Sequence, residues 1–578
     1  MSDTTYKWRM DDAGWGVPPQ PPNFTVTAGN QQATLSWNVP EYTKVDDQIV
    51  CTAGGIRIRR STAGYPANEN SGELILDTTE LTGTYTDENL TNGTTYYYRA
   101  FVYSDHNVFN RDKYKSKGSA TPSEAAVISV VYTASDADGE EIEATDGNTT
   151  ITATITNGVA RFSVYDTGTW TVGGQQVEVP QLGTVVTLNE KLYGFDWTLP
   201  PAEADTESQI FYPSGVDNYG LTPVAARGAD ADISLGDMQE IHDFIGARPV
   251  MLNFDGTVAY ELDHTDQTKK LDGTASDITD TSKNMNAMVE YPKRYIKRWT
   301  ANGIGHCRIS RVKLSDDYKC LPWLYGDDEA TAVENDVIYM PMFEGGVASG
   351  KARSLAGLTP MNSQTGATEY SYISALGDGW QFDDVSDAAY IADLMFLMSK
   401  STDVQKHWGY GHYTGGSGAG SLHTTGQLKS HGPYYGGTGN TDMKFMWMEN
   451  WYADRWERTF GMYMINSIIY VKDFPPYTTD GNVTHYANTG HGITGTNGGY
   501  ISGVTYDQHG LIPTAASGAD GKYVPDGAWF TSGTLFLLRS CNCGNGFLAG
   551  LTFYLGGAFS NSGWLGGASP AYKKTHAA

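Results

Sequence analysis

The chain is expected to be mainly β and to fold as several domains, and three observations carry that expectation. Its 578 residues exceed what one hydrophobic core organises, a limit of about 250 to 300 residues. Charged residues make up only 18%, while Gly (67), Tyr (37) and Trp (14) are abundant, a balance that suits sheets, turns and aromatic surfaces better than long surface helices. Short runs of alternating apolar and polar residues, broken by Gly, Asn and Asp, recur through the first third of the chain.

After the Pro-rich VPPQPP, the stretch FTVTAGNQQATLSWNVP reads as strand, turn and strand, the second strand carrying Trp37. Further on, YTDENLTNGTTYYYRAFVYS places Leu90 and Tyr96 at the opening of another strand, the pattern of a tyrosine corner. Together these segments resemble a fibronectin type III domain over residues 22–122, with Trp37 and Tyr96 expected in its core. From Ala125 onward, AAVISVVYTAS, GNTTITATITNGVARFSVYDTGTWTV and QVEVPQLGTVVTLN are joined by short Asp-Gly and Asn-Gly turns. They predict a second, Ig-like β-sandwich over residues 123–199.

Residues 200–578 differ in character and are expected to form an α+β head. SLGDMQEIHDFIGARP offers Ser234 as a helix N-cap, an apolar face of Met238, Ile241 and Ile245, and a stop at Gly246 and Pro249. DDVSDAAYIADLMFLMSKS predicts a second helix capped by Asp383 or Asp384, with Val385, Ala388, Ala392, Met395 and Met398 on one face. Residues 409–440 are rich in Gly, Ser, Thr and His and poor in apolar side chains, so a surface loop or inter-subunit insertion is expected there.

A formal charge of -27 has the wrong sign for neutralising phosphates, which argues against nucleic acid as a partner and disfavours anionic membranes. The start of the sequence lacks a basic segment followed by an apolar one, and no run reaches about 18 apolar residues, so neither secretion nor membrane insertion is expected. The odd set Cys51, Cys307, Cys320, Cys541 and Cys543 suits a reducing compartment rather than a disulfide framework. The pairs Cys307/Cys320 and Cys541/Cys543 have twelve and one intervening residues, which match neither zinc-ligand nor redox spacing.

Histidines at 407, 412, 423, 431, 485 and 491 lack an HExxH arrangement and are read as loop residues, so no metal and no cofactor is expected. GGSGAG has no following Lys-Ser/Thr, which removes a phosphate-cradling loop. Glu449, Asp454 and Glu457 would suit a glycosidase, but they stand among Trp447, Trp451 and Trp456, and a layer of core aromatics is the preferred reading.

Several separated segments resemble one family, the C-type-lectin-like domains at the ends of bacteriophage tail fibres and related adhesins, including the targets of diversity-generating retroelements. VMLNFDGTVAYELD resembles the opening hairpin, VEYPKRYIKRW the following strand, and LGDGWQFDDVSDAAYIADLMFLMSKSTDVQKHWGYG the central helix with its aromatic-glycine turn. WMENWYADRWERTFGMY is similar to the core segment, with Trp447 where the family has Gly. The stretch Asn545 to Gly566 is similar to the terminal hairpin, through NG, AGL, SNS and Trp564. No EPN or QPD triplet with a downstream WND accompanies them, so the calcium-dependent sugar site of animal C-type lectins is not implied.

The resemblance implies a phage tail receptor-binding protein, carried on the virion tail, assembled in the host cytoplasm and acting without catalysis. Its head would attach the virion to a bacterial surface glycan or protein, with contacts at Trp529, Phe530, Asn542, Asn545, Phe547, Tyr554 and Phe559. Trp447, Trp451, Trp456 and Trp564 would form the rigid core beneath them, and Cys541 and Cys543 would lie at the rim. Residues 1–21 would attach the chain to other virion proteins, and a homotrimer is implied. Two other readings of the same architecture are a structural virion component (head fibre, decoration or baseplate protein) and a tail enzyme that cleaves cell-wall glycans.

Overall fold

The computed structural model describes residues 18–573, apart from 20–22, 46–47, 111–115, 133–138, 140, 174, 200–208, 415, 417, 440–441, 493–497, 520–523, 531–532, 545–549, 552 and 564–565. The expected attachment segment, residues 1–21, lies almost wholly outside that range. Strands hold about 44% of the chain and helices about 10%, so the protein is mainly β. It divides into two compact units, residues 1–131 with 141–189, and residues 132–140 with 190–578.

In the first unit, two antiparallel sheets make the N-terminal sandwich. One holds Asn23–Gly29, Gln32–Asn38 and Thr82–Asp87; the other holds Tyr42–Val45, Gln48–Ser61, Tyr96–Ser104 and Lys117–Ala120, with Glu73–Thr78 added to Gln48–Ser61. Alternation along Gln32–Asn38 turns Ala33, Leu35 and Trp37 inward, where they meet Ile56, Ile58, Leu90 and Tyr98. Trp37, 4% exposed, donates its indole N–H to the Glu80 carbonyl at 3.0 Å. Tyr96 is half-buried, and its hydroxyl accepts from the Thr91 amide at 3.1 Å, the expected corner.

The second sandwich pairs a four-stranded sheet (Thr150–Thr154, Glu141–Thr145, Gly168–Val172, Gln175–Val179) with a three-stranded one (Val159–Val164, Ala126–Tyr132, Val185–Glu190). Ile128, Phe162, Val164, Trp170 and Val179 are buried in this region. The strand Tyr193–Thr198, inside the span 123–199 read as this sandwich, belongs to the second unit, where it pairs with Ile304–Ser310. Its first five residues are all buried, and Trp197 packs on Phe396 and Tyr506, which an edge strand of a small sandwich would not allow.

Two large sheets organise the second unit. The six-stranded sheet runs Val258–Glu261, Arg248–Asn253, Met285–Pro292, Val337–Pro341, Pro570–Tyr572 and Trp380–Phe382, so the C-terminal end of the chain pairs inside it. The eight-stranded sheet has Trp456–Ile465 and Thr534–Arg539 at its middle, followed by Phe553–Gly557 and Val524–Phe530. Among the described residues, no helix is long and apolar enough to cross a membrane.

Helix Val385–Ser399 starts where Asp384 accepts from the Ser386 and Asp387 amides, and it ends at Lys400 in the left-handed region (φ 53°). Every residue in it except Ala388 is buried, so it is a core helix rather than the one-faced helix the spacing predicts. The first helix is shorter than expected, Gln239–Ile245, and it follows a 3-10 turn in which Ser234 makes no cap. Gly246 (φ 64°) ends it, while Pro249 is already within the next strand.

The glycine-rich stretch 409–440 is also not a free surface loop. His412, Thr425, Leu428 and Tyr434 within it are buried, at 1%, 6%, 6% and 2% exposure. The reason is electrostatic: the Glu449 carboxylate accepts from the amides of Gly426 and Gln427 at 2.8 and 2.9 Å and of Leu428 at 2.9 Å, which anchors a backbone that lacks apolar side chains.

Candidate functional site

The terminal segment from Thr534 to Lys573 rests on a layer of buried charges. Arg539 donates to the Trp451 carbonyl at 2.7 Å, places its guanidinium over the Trp451 ring at 3.8 Å from the centroid, and pairs with Asp383. Arg458 pairs with Glu369 at 2.6 Å and donates to the Asn561 carbonyl at 2.7 Å. Arg455, fully buried, pairs with Glu457 at 2.9 Å and Glu344 at 3.3 Å, and donates to the Ser569 hydroxyl at 3.0 Å. Lys573 reaches both Asp384 (2.5 Å) and Asp387 (2.7 Å) at the start of the core helix. Burial raises the Glu369 carboxyl to about 7, against the opposing pull of Arg458 and Arg455.

Sequence-predicted core residues take their expected places: Trp447, Trp451 and Trp456 are 1%, 5% and 6% exposed. Trp564 lies outside the described residues. Of the predicted contact residues, Trp529 is half-buried and packs edge-on against Trp456 at 5.5 Å. Phe530 and Asn542 are corrections to that set: at 6% and 7% exposure the first joins the hydrophobic core, and the second bonds the Gly544 amide at 2.8 Å. Phe559 is half-buried with its ring 5.0 Å from Phe536, and its carbonyl accepts from Gly366. Asn545, Phe547 and the Tyr554 side chain fall outside the described residues.

Cys541 and Cys543, expected at the rim, are buried completely. The Cys543 amide donates to the Asp454 carbonyl at 2.8 Å and its carbonyl accepts from Thr414 at 3.0 Å, which draws the segment inward, where a thiol packs as a small apolar group. All five cysteines are free thiols.

The carboxylates with glycosidase spacing are committed elsewhere. Glu449 holds the 426–428 amides, Glu457 pairs with Arg455, and Asp454 accepts from the His423 amide at 3.0 Å. Burial, with Asp442 nearby, raises the Glu449 carboxyl above its ordinary range, although the Leu428 and Gln427 amides and the Lys444 ammonium oppose the rise.

The second unit has two clefts of note, the first of them lined in part by the terminal segment. One is lined by Val385, Trp451, His509, Arg539, Leu551 and Phe553. The other, about 370 Å³, is lined by Tyr325, Tyr370, Asp378, Trp380 and Tyr477, a set the sequence reading had not singled out. Of the histidines, His407 bonds the Val224 carbonyl and His431 faces Asp232, whereas His412 and His423 are brought together with their ring centroids 3.4 Å apart. With Asp442, these two offer a metal-ligand set among the described residues.

No family model matches the chain. No curated protein matches it either. Among solved structures it is similar to a β-1,2-glucanase from Parabacteroides distasonis, at 18% identity over 18% of this chain and 13% of that one, with a TM-score of 0.14. It is similar also to the 6th fibronectin type III domain from human fibronectin type III domain containing protein 3, at 21% identity over 19% of this chain and 92% of that one (TM-score 0.15). A third is the group B streptococcus pilus 2b backbone protein, at 11% identity over 29% of this chain and 95% of that one (TM-score 0.11). The chain therefore spans only a small part of the glucanase, and likenesses this slight carry no argument about fold or function.

Proposed function

We propose that this chain is a phage tail adhesin: its C-terminal unit is a C-type-lectin-like head that meets a bacterial surface glycan or protein, and its N-terminal part joins other virion proteins. The observation that carries the reading is the pinning of the terminal segment on both sides. Arg539 is held by Asp383 and Trp451 before the hairpin, and the Asn561 carbonyl, near the hairpin's far end, is held by Arg458. Recognition loops work best on such a base, because a rigid frame lowers the entropy lost when the loop meets its receptor.

Half-buried Trp529 and the aromatic cleft of Tyr325, Tyr370 and Trp380 add ring faces suited to sugars or to protein pockets. Three copies on one tip would turn weak single-site attachment into avidity. Immunolabelling of virions with an antibody against residues 400–578 tests the location. Label at the tail tip supports the adhesin; label on the head or baseplate replaces it with a structural virion component.

A further inference from the structure

We propose that His412, His423 and Asp442 form a site for one divalent transition-metal ion of the zinc class. Each residue offers a ligand atom within 4.8 Å of the other two. In a tetrahedral zinc site with ligand distances near 2.0–2.1 Å, neighbouring ligand atoms stand about 3.4 Å apart, so the set must draw in and the two stacked rings must turn for their lone pairs to converge on one ion.

The state of His412 is the second, independent observation. Its Nε2 lies 2.9 Å from the Ser421 carbonyl, which only accepts, so Nε2 carries the hydrogen and Nδ1 carries the lone pair. That Nδ1 is buried without a hydrogen-bond partner, on a residue 1% exposed. A buried lone pair with no donor costs free energy unless something binds it, and a carbonyl on the other ring nitrogen is the arrangement that orients a metal-ligating imidazole. Asp442 is oriented in the same way, since Asn450 donates to its Oδ1 at 2.6 Å. Two imidazoles and one carboxylate suit zinc and its neighbours rather than calcium or magnesium, and three protein ligands leave a position for water. On binding, Nδ1 of His423 gives up the hydrogen it shares with Asp442 at 2.8 Å: the neutral imidazole keeps its N–H on Nε2, and an imidazolium releases one proton to solvent.

The site has a structural consequence. His412 and His423 bracket the Gly-Ser part of the glycine-rich stretch, and Thr414 inside that bracket bonds Cys543 at the start of the terminal hairpin. An ion there would fasten the stretch beneath the hairpin. This inference stands apart from the adhesin reading and holds for any function of the unit.

The test uses the untagged full-length chain, dialysed against EDTA, freed of chelator and titrated with zinc chloride. Mass spectrometry of metals after gel filtration is expected to find about one zinc per chain, with Tm rising by about 3 °C or more. H423Q and D442N are expected to keep their circular dichroism and to bind zinc at least tenfold more weakly, while H431Q, outside the set, binds as the parent does. Zinc retained by H423Q and D442N, or no zinc and no Tm shift in the parent chain, overturns the proposal. Should a variant fail to fold, cobalt(II) added to the parent chain decides: visible d–d absorption of a low-coordinate N/O site supports it, and its absence overturns it.

Discussion

Arg539 lays its guanidinium 3.8 Å from the centre of the Trp451 ring while donating to the carbonyl of the same residue at 2.7 Å, and its other edge faces the fully buried Asp383. One side chain thereby joins the aromatic layer, the strand that precedes the terminal hairpin and the start of the core helix. Replacing it leaves a carboxylate without its partner. R539M is expected to destabilise the second unit by about 3–5 kcal/mol, read from urea unfolding, and R539M with D383N to recover part of that loss.

Trp37 and Trp447 are buried in different compact units. Calorimetry is expected to show two transitions. W37A lowers one by about 3–5 kcal/mol and leaves the other in place, whereas W447A does the reverse. A single transition shifted equally by both substitutions would contradict the division.

His509 donates or shares a proton with Asp473 at 2.6 Å inside the unit. Burial lowers its pKa, but Asp473 outweighs burial and the net shift is upward from 6.5. A raised histidine adds stability that is complete below its unfolded value and is lost as pH rises through its folded value. Unfolding free energy is therefore expected to fall as pH rises above about 6.5, and H509N to flatten that slope, in urea titrations at pH 5.5, about 7 and about 8.5.

Glu449 offers a test of chemistry against architecture. E449Q keeps the volume but turns one acceptor oxygen into a donor facing backbone amides, at a cost of about 1–3 kcal/mol. Faster proteolysis within residues 409–440 is the expected result, with attachment to cells retained. If E449Q instead abolished release of sugars from host cell walls, the glycan-cleaving reading would take the place of the adhesin.

Features written locally were legible in the sequence. Asp384 caps the helix it precedes, Tyr96 makes its corner with Thr91 five residues back, and the three tryptophans of the core segment are inside. What was not legible depends on partners far along the chain. Ser234 has cap chemistry but no helix start at its position, and Tyr193–Thr198, within the span read as the second sandwich, pairs with Ile304–Ser310, more than a hundred residues on. The polarity of residues 409–440 suggested a free loop because the carboxylate that anchors it, Glu449, comes later in the chain. The same holds for His412, His423 and Asp442, whose spacings of eleven and nineteen match no metal motif.

The central claim is that the chain attaches a virion to a bacterial surface, and competition for attachment tests it most directly. Purified full-length protein, mixed with susceptible cells before phage is added, is expected to bind those cells and to lower plaque counts in a dose-dependent manner. It should do neither on receptor-deficient mutants. Equal binding to both cell types, or saturating protein that leaves infection unchanged, would contradict the account.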